Sequence, residues 1–312
     1  MEERVLSGTG LTVSALGLGA AGIGGLYRKF ESDEQAAEVV RAAFEAGITY
    51  VDTAPLYGKG ASERRIGLAL RGHPLRERIT VATKLGYVPE GYDYSFDATL
   101  RSVESSLERL CLQRLPLVQM HELREETWDA VMAPQGALAA VRRLQAEGVV
   151  GWAGATSSDE PTLRRVLEEA PGAFDTLFVW RHFTLLDPRL GQEIVPRAAE
   201  QGLGIVVGTP FAGGLLASGS DPGEAGPKFF YRDAPQDEVA RTRELEALCA
   251  GRGVPLGAVA LRFCLEGAGV AVVVAGADSA EQVRANVGLL DVRVPESLMA
   301  EVREWATTRR AA

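Results

Sequence analysis

Eight short apolar runs alternate along the chain with amphipathic stretches of helical length. This rhythm restricts the fold more than any other feature. The runs are Ala15–Gly19, Thr49–Asp52, Ile79–Thr83, Leu117–His121, Val150–Gly154, Thr176–Trp180, Gly204–Val207 and Val270–Ala275. The helical windows are Asp33–Ala46, Ser62–Arg71, Phe96–Leu110, Gln135–Glu147, Glu160–Glu169, Pro188–Gln201, Gln236–Arg252 and Ser279–Leu290. Strands this continuously apolar are those of a parallel sheet covered on both faces. Eight strand–helix units predict an α/β fold, a (β/α)8 TIM barrel. A doubly wound open sheet shares the alternation and stays open as the alternative.

Local signals agree with the helices. Ser32 is an N-cap candidate, with Gln35 placed three residues on as a capping-box partner. Gly47, Gly148 and Gly202 each end a helical window, where a left-handed cap favours glycine. Residues 1–13 read as a hairpin around Ser7–Gly10. Residues 255–266 and 294–308 read as extra helices. Residues 209–235 form a long Gly/Pro-rich connection of the kind that is usually functional or mobile. No linker divides the chain, so one domain over 1–312 is expected.

Composition removes several function classes. The net charge of −9 disfavours nucleic acid and anionic membranes as partners. The longest apolar run, Val270–Ala275, is far shorter than the ~20 residues of a membrane span. Cys111, Cys249 and Cys264 are odd in number and widely spaced, which is no disulfide framework. With no apolar leader at the N-terminus, a reducing cytoplasmic setting is expected. His73, His121 and His182 are the only histidines and form no HxH or HExxH, so no metal is expected. There are 35 glycines, against a usual share of ~7%. The run from Leu16 to Gly25 approaches a dinucleotide fingerprint in composition, but no helical pattern follows it directly.

Barrel enzymes place their chemistry at the C-terminal ends of strands. There this chain has Asp52, Lys84 and His121 after three successive strands, with Tyr57 in the loop beyond Asp52. A phenol with a pKa near 10 is a poor acid–base group at neutral pH. An adjacent ammonium stabilises the phenolate. A carboxylate holds the lysine charged and oriented, and a histidine hydrogen-bonds the substrate oxygen. That set suits proton transfer at a carbonyl or carbinol oxygen. None of the four is an electron donor, so a redox cofactor is needed.

These residues carry a resemblance. Gly47–Glu63, reading GITYVDTAPLYGKGASE, then Thr80–Lys84, then His121 after Leu117-Val-Gln-Met, resemble the aldo-keto reductases. The likeness runs from Leu6 to about Leu290. It implies a metal-free, NAD(P)-dependent barrel with Tyr57 as acid–base group, Lys84 as its modulator, Asp52 as the lysine's partner and His121 orienting the substrate. It also implies cofactor contacts. Thr209, Pro210, Phe211, Gly213 and Leu215 match the loop over the pyrophosphate. Gly276, Ala277, Asp278, Ser279, Gln282 and Asn286 match the adenosine end, where a helix N-terminus favours phosphate. Thr156 and Ser157 stand where the family grips the nicotinamide amide, although its Asn is absent here. Trp180 stands near another nicotinamide contact.

NADPH-specific members carry Lys or Arg near Gly276 and Gln282. The chain is read as having neither, and Asp278 adds a negative charge, so NAD is expected over NADP. Gly91–Asp97, reading GYDYSFD, resembles a sugar-oxidising branch that includes L-fucose, L-galactose and D-threo-aldose 1-dehydrogenases. Tyr92, Tyr94 and Phe96 equally suit simple loop packing. Trp128, Trp152, Trp180, Arg181 and His182 are candidates to line a polar pocket. The expected activity is oxidation of an aldose at C1 to the lactone with NAD, by a monomer or small homo-oligomer. An NADPH-dependent reductase of small aldehydes or ketones is the alternative. A nucleotide-sensing subunit without turnover is the third reading.

Overall fold

The computed structural model describes residues 1–223, 226–230 and 232–309. The chain opens with a hairpin, β1 (Glu3–Leu6) and β2 (Leu11–Ser14), then enters β3 (Leu16–Gly19), α1 (Asp33–Glu45), β4 (Tyr50–Asp52), α2 (Ala61–Leu70) and β5 (Thr80–Leu85). A second hairpin, β6 (Tyr87–Val88) and β7 (Gly91–Tyr92), leads to α3 (Phe96–Leu110) and β8 (Leu115–Met120). Next come α4 (Glu125–Met132), α5 (Ala137–Ala146), β9 (Val150–Ser157), α6 (Glu160–Glu168), β10 (Thr176–Val179), α7 (Arg189–Glu200) and β11 (Gly204–Gly208). The long connection holds α8 (Leu215–Ser218) and a hairpin, β12 (Lys228–Phe229) with β13 (Arg232–Asp233). The chain then runs through α9 (Gln236–Ala250), α10 (Leu256–Leu265), β14 (Val270–Gly276), α11 (Ala280–Gly288) and α12 (Glu296–Thr308).

Strands β3, β4, β5, β8, β9, β10, β11 and β14 close into a barrel in that order, with every neighbouring pair parallel. Closure decides for the barrel over the open sheet. Tyr50, Ala82, Leu117, Phe178, Val206 and Val272 fill the interior. Leu6 and Val13 of the first hairpin join the same cluster, so β1 and β2 floor the barrel at its N-terminal end. The outward faces of the strands meet Phe44, Leu70, Val103, Val141, Leu163 and Ile194 of the surrounding helices. Each side chain of this size contributes about 1.5–3 kcal/mol when fully buried. With the interior filled and its N-terminal end floored, the C-terminal mouth is where barrel enzymes place their chemistry.

The caps follow the sequence. Ser32 accepts from the Gln35 backbone N–H at 3.1 Å, while the Gln35 side chain turns back to the N–H of Glu31 rather than Ser32. Gly47, Gly148 and Gly202 have φ of 89°, 75° and 80°. Two helix readings change. The window Gln135–Glu147 starts later, as α5, and an unforeseen helix, α4, precedes it, with Trp128 and Val131 buried and Pro134 between the two. The seventh barrel helix is α10, which packs on β14, whereas α9 lies against α12. The reason is burial: Leu256–Leu261 of α10 are all buried, while α9 buries only Val239, Thr242, Leu245 and Cys249. In the 209–235 connection, residues 224, 225 and 231 lie outside the described residues. Among the described residues, no helix is long and apolar enough to cross a membrane.

Candidate active site

The four residues read as a cluster meet at the barrel mouth. Asp52 ends β4, Lys84 is the penultimate residue of β5 and His121 directly follows β8. They are 3%, 1% and 7% exposed, so each is held by packing rather than by solvent. Lys84 Nζ donates to Asp52 Oδ1 at 2.5 Å and to the Thr53 carbonyl at 3.0 Å. It lies 5.2 Å from the centroid of the Tyr57 ring and 5.4 Å from that of Phe178. The rings of Tyr57 and His121 meet edge to face at 6.0 Å, and Tyr92 meets His121 in the same way at 6.0 Å. The Tyr94 hydroxyl donates to the His121 carbonyl and fixes the backbone there.

Burial dominates the electrostatics. It pushes the Asp52 carboxyl up and the Lys84 ammonium down, and their mutual contact opposes both shifts. A second buried carboxylate, Glu63, adds its charge in favour of the ammonium. Glu63 is itself held by Thr83 at 2.6 Å and Arg109 at 2.7 Å. Burial, helped by the Lys84 charge, keeps His121 well below the usual imidazole range. His121 is therefore neutral at neutral pH. Its Nδ1 is buried and has no hydrogen-bond partner among the described residues.

The loop that carries Tyr57 is braced from the β3–α1 connection. The Ala20 N–H bonds the Asp52 carbonyl at 2.9 Å, and Ser62 Oγ bridges Thr53 Oγ1 and the Ala20 carbonyl at 2.9 Å each. Gly24 packs directly on this loop. A Cβ there would lie 2.7 Å from the Tyr57 carbonyl carbon and 2.9 Å from the Gly58 nitrogen. Thus the glycine-rich run opens no helix and instead seats the tyrosine loop. Gly24→Ala is expected to displace Tyr57 and lower kcat by about 10²-fold, the scale of a 1 Å misplacement. Comparing kcat of the two proteins at saturating cofactor checks it, and an unchanged kcat would remove the seating role.

Residues matched to the adenosine end lie together. Gly276 ends β14 on an exposed shelf, where a Cβ built on it would meet no atom of the described residues within 4 Å. Ser279 caps α11 by accepting from the Gln282 N–H at 3.2 Å, and Gln282 accepts from the Asp278 N–H at 2.9 Å. Asn286 Nδ2 pins the Gly276 carbonyl at 3.1 Å. Ala277 is buried, and Gly22 packs against Ala277 and Asp278. Asp278 forms no ion pair with any described residue. The reading that no cation stands here needs correction. Arg284 pairs with Glu281 at 3.2 Å, and Arg28 adds its charge to the same carboxylate.

The other matched positions divide. Thr209, at φ +57°, accepts from the Arg181 N–H at 3.2 Å, and its own N–H reaches the Val274 carbonyl at 3.3 Å. Pro210, Phe211 and Leu215 are buried, so they present backbone rather than side chain. Gly213, at φ +77°, lies tight against the Phe230 backbone. Thr156 Oγ1 donates to Gln119 at 2.8 Å. Ser157 Oγ bonds the Leu123 carbonyl at 2.7 Å and the Asp159 N–H at 3.0 Å. Of the pocket-lining candidates, Trp180 reaches the mouth, where its indole N–H donates to Glu122 at 3.0 Å. Arg181 lies over the Phe230 ring. His182 bonds Asp187 at 2.6 Å. Trp128 instead sits on the outer helices under Arg165, and Trp152 packs in the barrel interior near the start of β9.

Two residues escaped the sequence reading. Gln119 interrupts the apolar run of β8 and, two before His121, shares its inward face; that polar intrusion was the available signal. Glu122, at φ +53°, gave none. The open shelf at Gly276 and the solvent-facing start of α11 leave room for a nicotinamide dinucleotide, and the unpartnered Nδ1 of His121 is left for a bound ligand.

The aldo/keto reductase family model matches residues 15–306. A D-threo-aldose 1-dehydrogenase from Pseudomonas sp. is 34% identical, with 97% of each chain covered. A pyridoxal 4-dehydrogenase from Microbacterium luteolum is 32% identical, over 99% of this chain and 96% of that one. The holo structure of an aldo-keto reductase from Bacillus halodurans superposes with a TM-score of 0.82 at 28% identity, covering 100% of this chain and 98% of the other. The chain belongs to the aldo/keto reductase family.

Proposed function

We propose that the chain oxidises a cyclic aldose at C1 to the lactone, with NAD as cofactor. The observation that carries the chemistry is the convergence of a buried Lys84–Asp52 pair, Tyr57 and a neutral His121 at one mouth. When bound, the nicotinamide supplies the two-electron acceptor. Gly276, Ser279, Gln282 and Asn286 would hold its adenosine end, with the backbone of the Thr209–Leu215 loop over the pyrophosphate and Thr156 near the nicotinamide. Tyr57 takes the proton from the C1 hydroxyl. Lys84, held by Asp52, stabilises the phenolate that makes Tyr57 a competent base. A neutral His121 donates a hydrogen bond to the substrate oxygen without competing for its proton.

The substrate class rests on the chemistry around that mouth and on the 34% relative named for an aldose. Tyr92 stacks on Tyr94 beside His121. Glu122 accepts from Trp180 Nε1 and Ser158 Oγ at 3.0 Å each, and keeps further lone pairs. Aromatic faces beside a carboxylate suit a polyhydroxylated ring. The NAD preference rests on Asp278, which has no ion pair among the described residues, while the nearby Arg284 is paired with Glu281. Initial rates followed through reduced nicotinamide test both readings, using aldoses and pyridoxal with NAD or NADP, and small aldehydes with NADH or NADPH. We expect the highest kcat/KM for an aldose with NAD. Oxidation of no aldose would overturn the substrate class, and a higher kcat/KM with NADP would overturn the role given to Asp278.

A further inference from the structure

Gln119 is fully buried in the middle of the barrel and lies outside the four-residue cluster. Its Cα pairs in register with Lys84 on one side and Gly154 on the other. Room for its side chain comes from Gly154, where a Cβ would stand 3.0 Å from Gln119 Cγ. Its Nε2 donates to Asp52 Oδ2 at 3.2 Å, and its Oε1 accepts from Thr156 Oγ1 at 2.8 Å. Lys84 occupies the other Asp52 oxygen. A single polar chain therefore runs Lys84, Asp52, Gln119, Thr156 across β5, β4, β8 and β9.

The polarity of this chain follows from chemistry alone. An ionised carboxylate only accepts, so the amide must turn its NH2 to Asp52 and its carbonyl to Thr156. The Thr156 hydroxyl then spends its one proton on Gln119 and offers only lone pairs to the mouth. We propose that Gln119 is a positioning residue: it holds Asp52 as the second donor beside Lys84, and it fixes Thr156 as an acceptor for a ligand N–H. Removing Gln119 takes the donor from one buried Asp52 oxygen and leaves Lys84 and the buried Tyr50 hydroxyl, which interacts with both Asp52 and Gln119, as the titratable groups facing the carboxylate. Asp52 then takes a proton more readily, and Lys84 loses its counter-charge at a higher pH than in the native protein.

This inference rests on the reading of Lys84 and Asp52 given above, and its test is built to separate the two. Gln119→Met keeps the volume and removes both hydrogen bonds. In the unliganded protein, urea denaturation of Gln119→Met, Asp52→Asn and the double variant forms a cycle that needs no turnover. Sub-additive stability losses are expected, because Gln119 has less to hold once the carboxylate is gone. Additive losses would overturn the link to Asp52 whatever Tyr57 proves to do. The second readout is the acid limb of kcat/KM. Loss of one hydrogen bond to a charged group is expected to move it upward by about one pH unit. Val103→Ala, a core change in α3, is expected to leave that limb in place. An unmoved limb in Gln119→Met would overturn the positioning role even if the cycle shows coupling.

Discussion

Tyr57→Phe is expected to lower turnover by about 10²–10⁴-fold, the usual worth of a positioned acid–base group. The substitution removes one oxygen and keeps the ring, so the ring contacts of this position are retained. The edge-to-face contact with His121 at 6.0 Å and the placement of Lys84 Nζ 5.2 Å from the ring centroid both survive. The loop is braced through the backbone of Tyr57 and Gly58 and through Ser62, all of which the phenylalanine variant keeps. The shelf at Gly276–Asn286 is built on β14 and α11, separate from the tyrosine loop. Dinucleotide affinity, read from quenching of tryptophan fluorescence, should therefore stay close to that of the native protein. The kcat falls while the dissociation constant holds. Retention of most of the turnover with cofactor still bound would remove Tyr57 from the acid–base role.

How much of this was legible beforehand differs by layer. The barrel was, because strands such as Val270–Ala275 are buried on both faces and read as unbroken apolar runs. Asp52, Lys84 and His121 were visible for the same reason: a titratable side chain ending an apolar run stands out against it. The order of the last helices was not. Periodicity marks α9 and α10 alike as helical, and only packing tells which one covers β14. Glu122 was invisible because its role depends on Trp180 and Ser158, 58 and 36 residues further along the chain. The β6–β7 and β12–β13 hairpins have strands of two residues, too short to show a period. Arg28 gave no signal in the sequence, because its charge reaches α11 through the β3–α1 connection, where Gly22 packs against Ala277 and Asp278.

Lys84→Met carries the largest expected effect on stability and also removes the group argued to activate Tyr57. Methionine fills the lysine stem's volume, so packing beside Phe178 is largely kept. What is lost is the charge. Asp52 is 3% exposed, and without the ammonium Gln119 is the one side-chain hydrogen-bond donor left to it among the described residues. Removing one partner of a buried pair typically costs about 3–5 kcal/mol, because the remaining charge is uncompensated. The carboxyl can escape part of that cost by taking a proton. Burial already pushes Asp52 upward, and losing Lys84 pushes it further in the same direction. The sign of the pH dependence follows. With the folded-state pKa raised above the unfolded one, the folded variant binds more protons, so its stability is greatest at low pH and is lost as pH rises through the raised value. The Lys84→Met deficit should therefore be larger at pH 8 than at pH 5. Asp52→Asn in the same chain should recover part of the stability, since a neutral amide no longer needs the ammonium, but none of the turnover. Urea denaturation of the single and double variants at the two pH values measures both terms. A deficit that is independent of pH, or a double variant no more stable than Lys84→Met alone, would mean that Asp52 is not the charge Lys84 compensates.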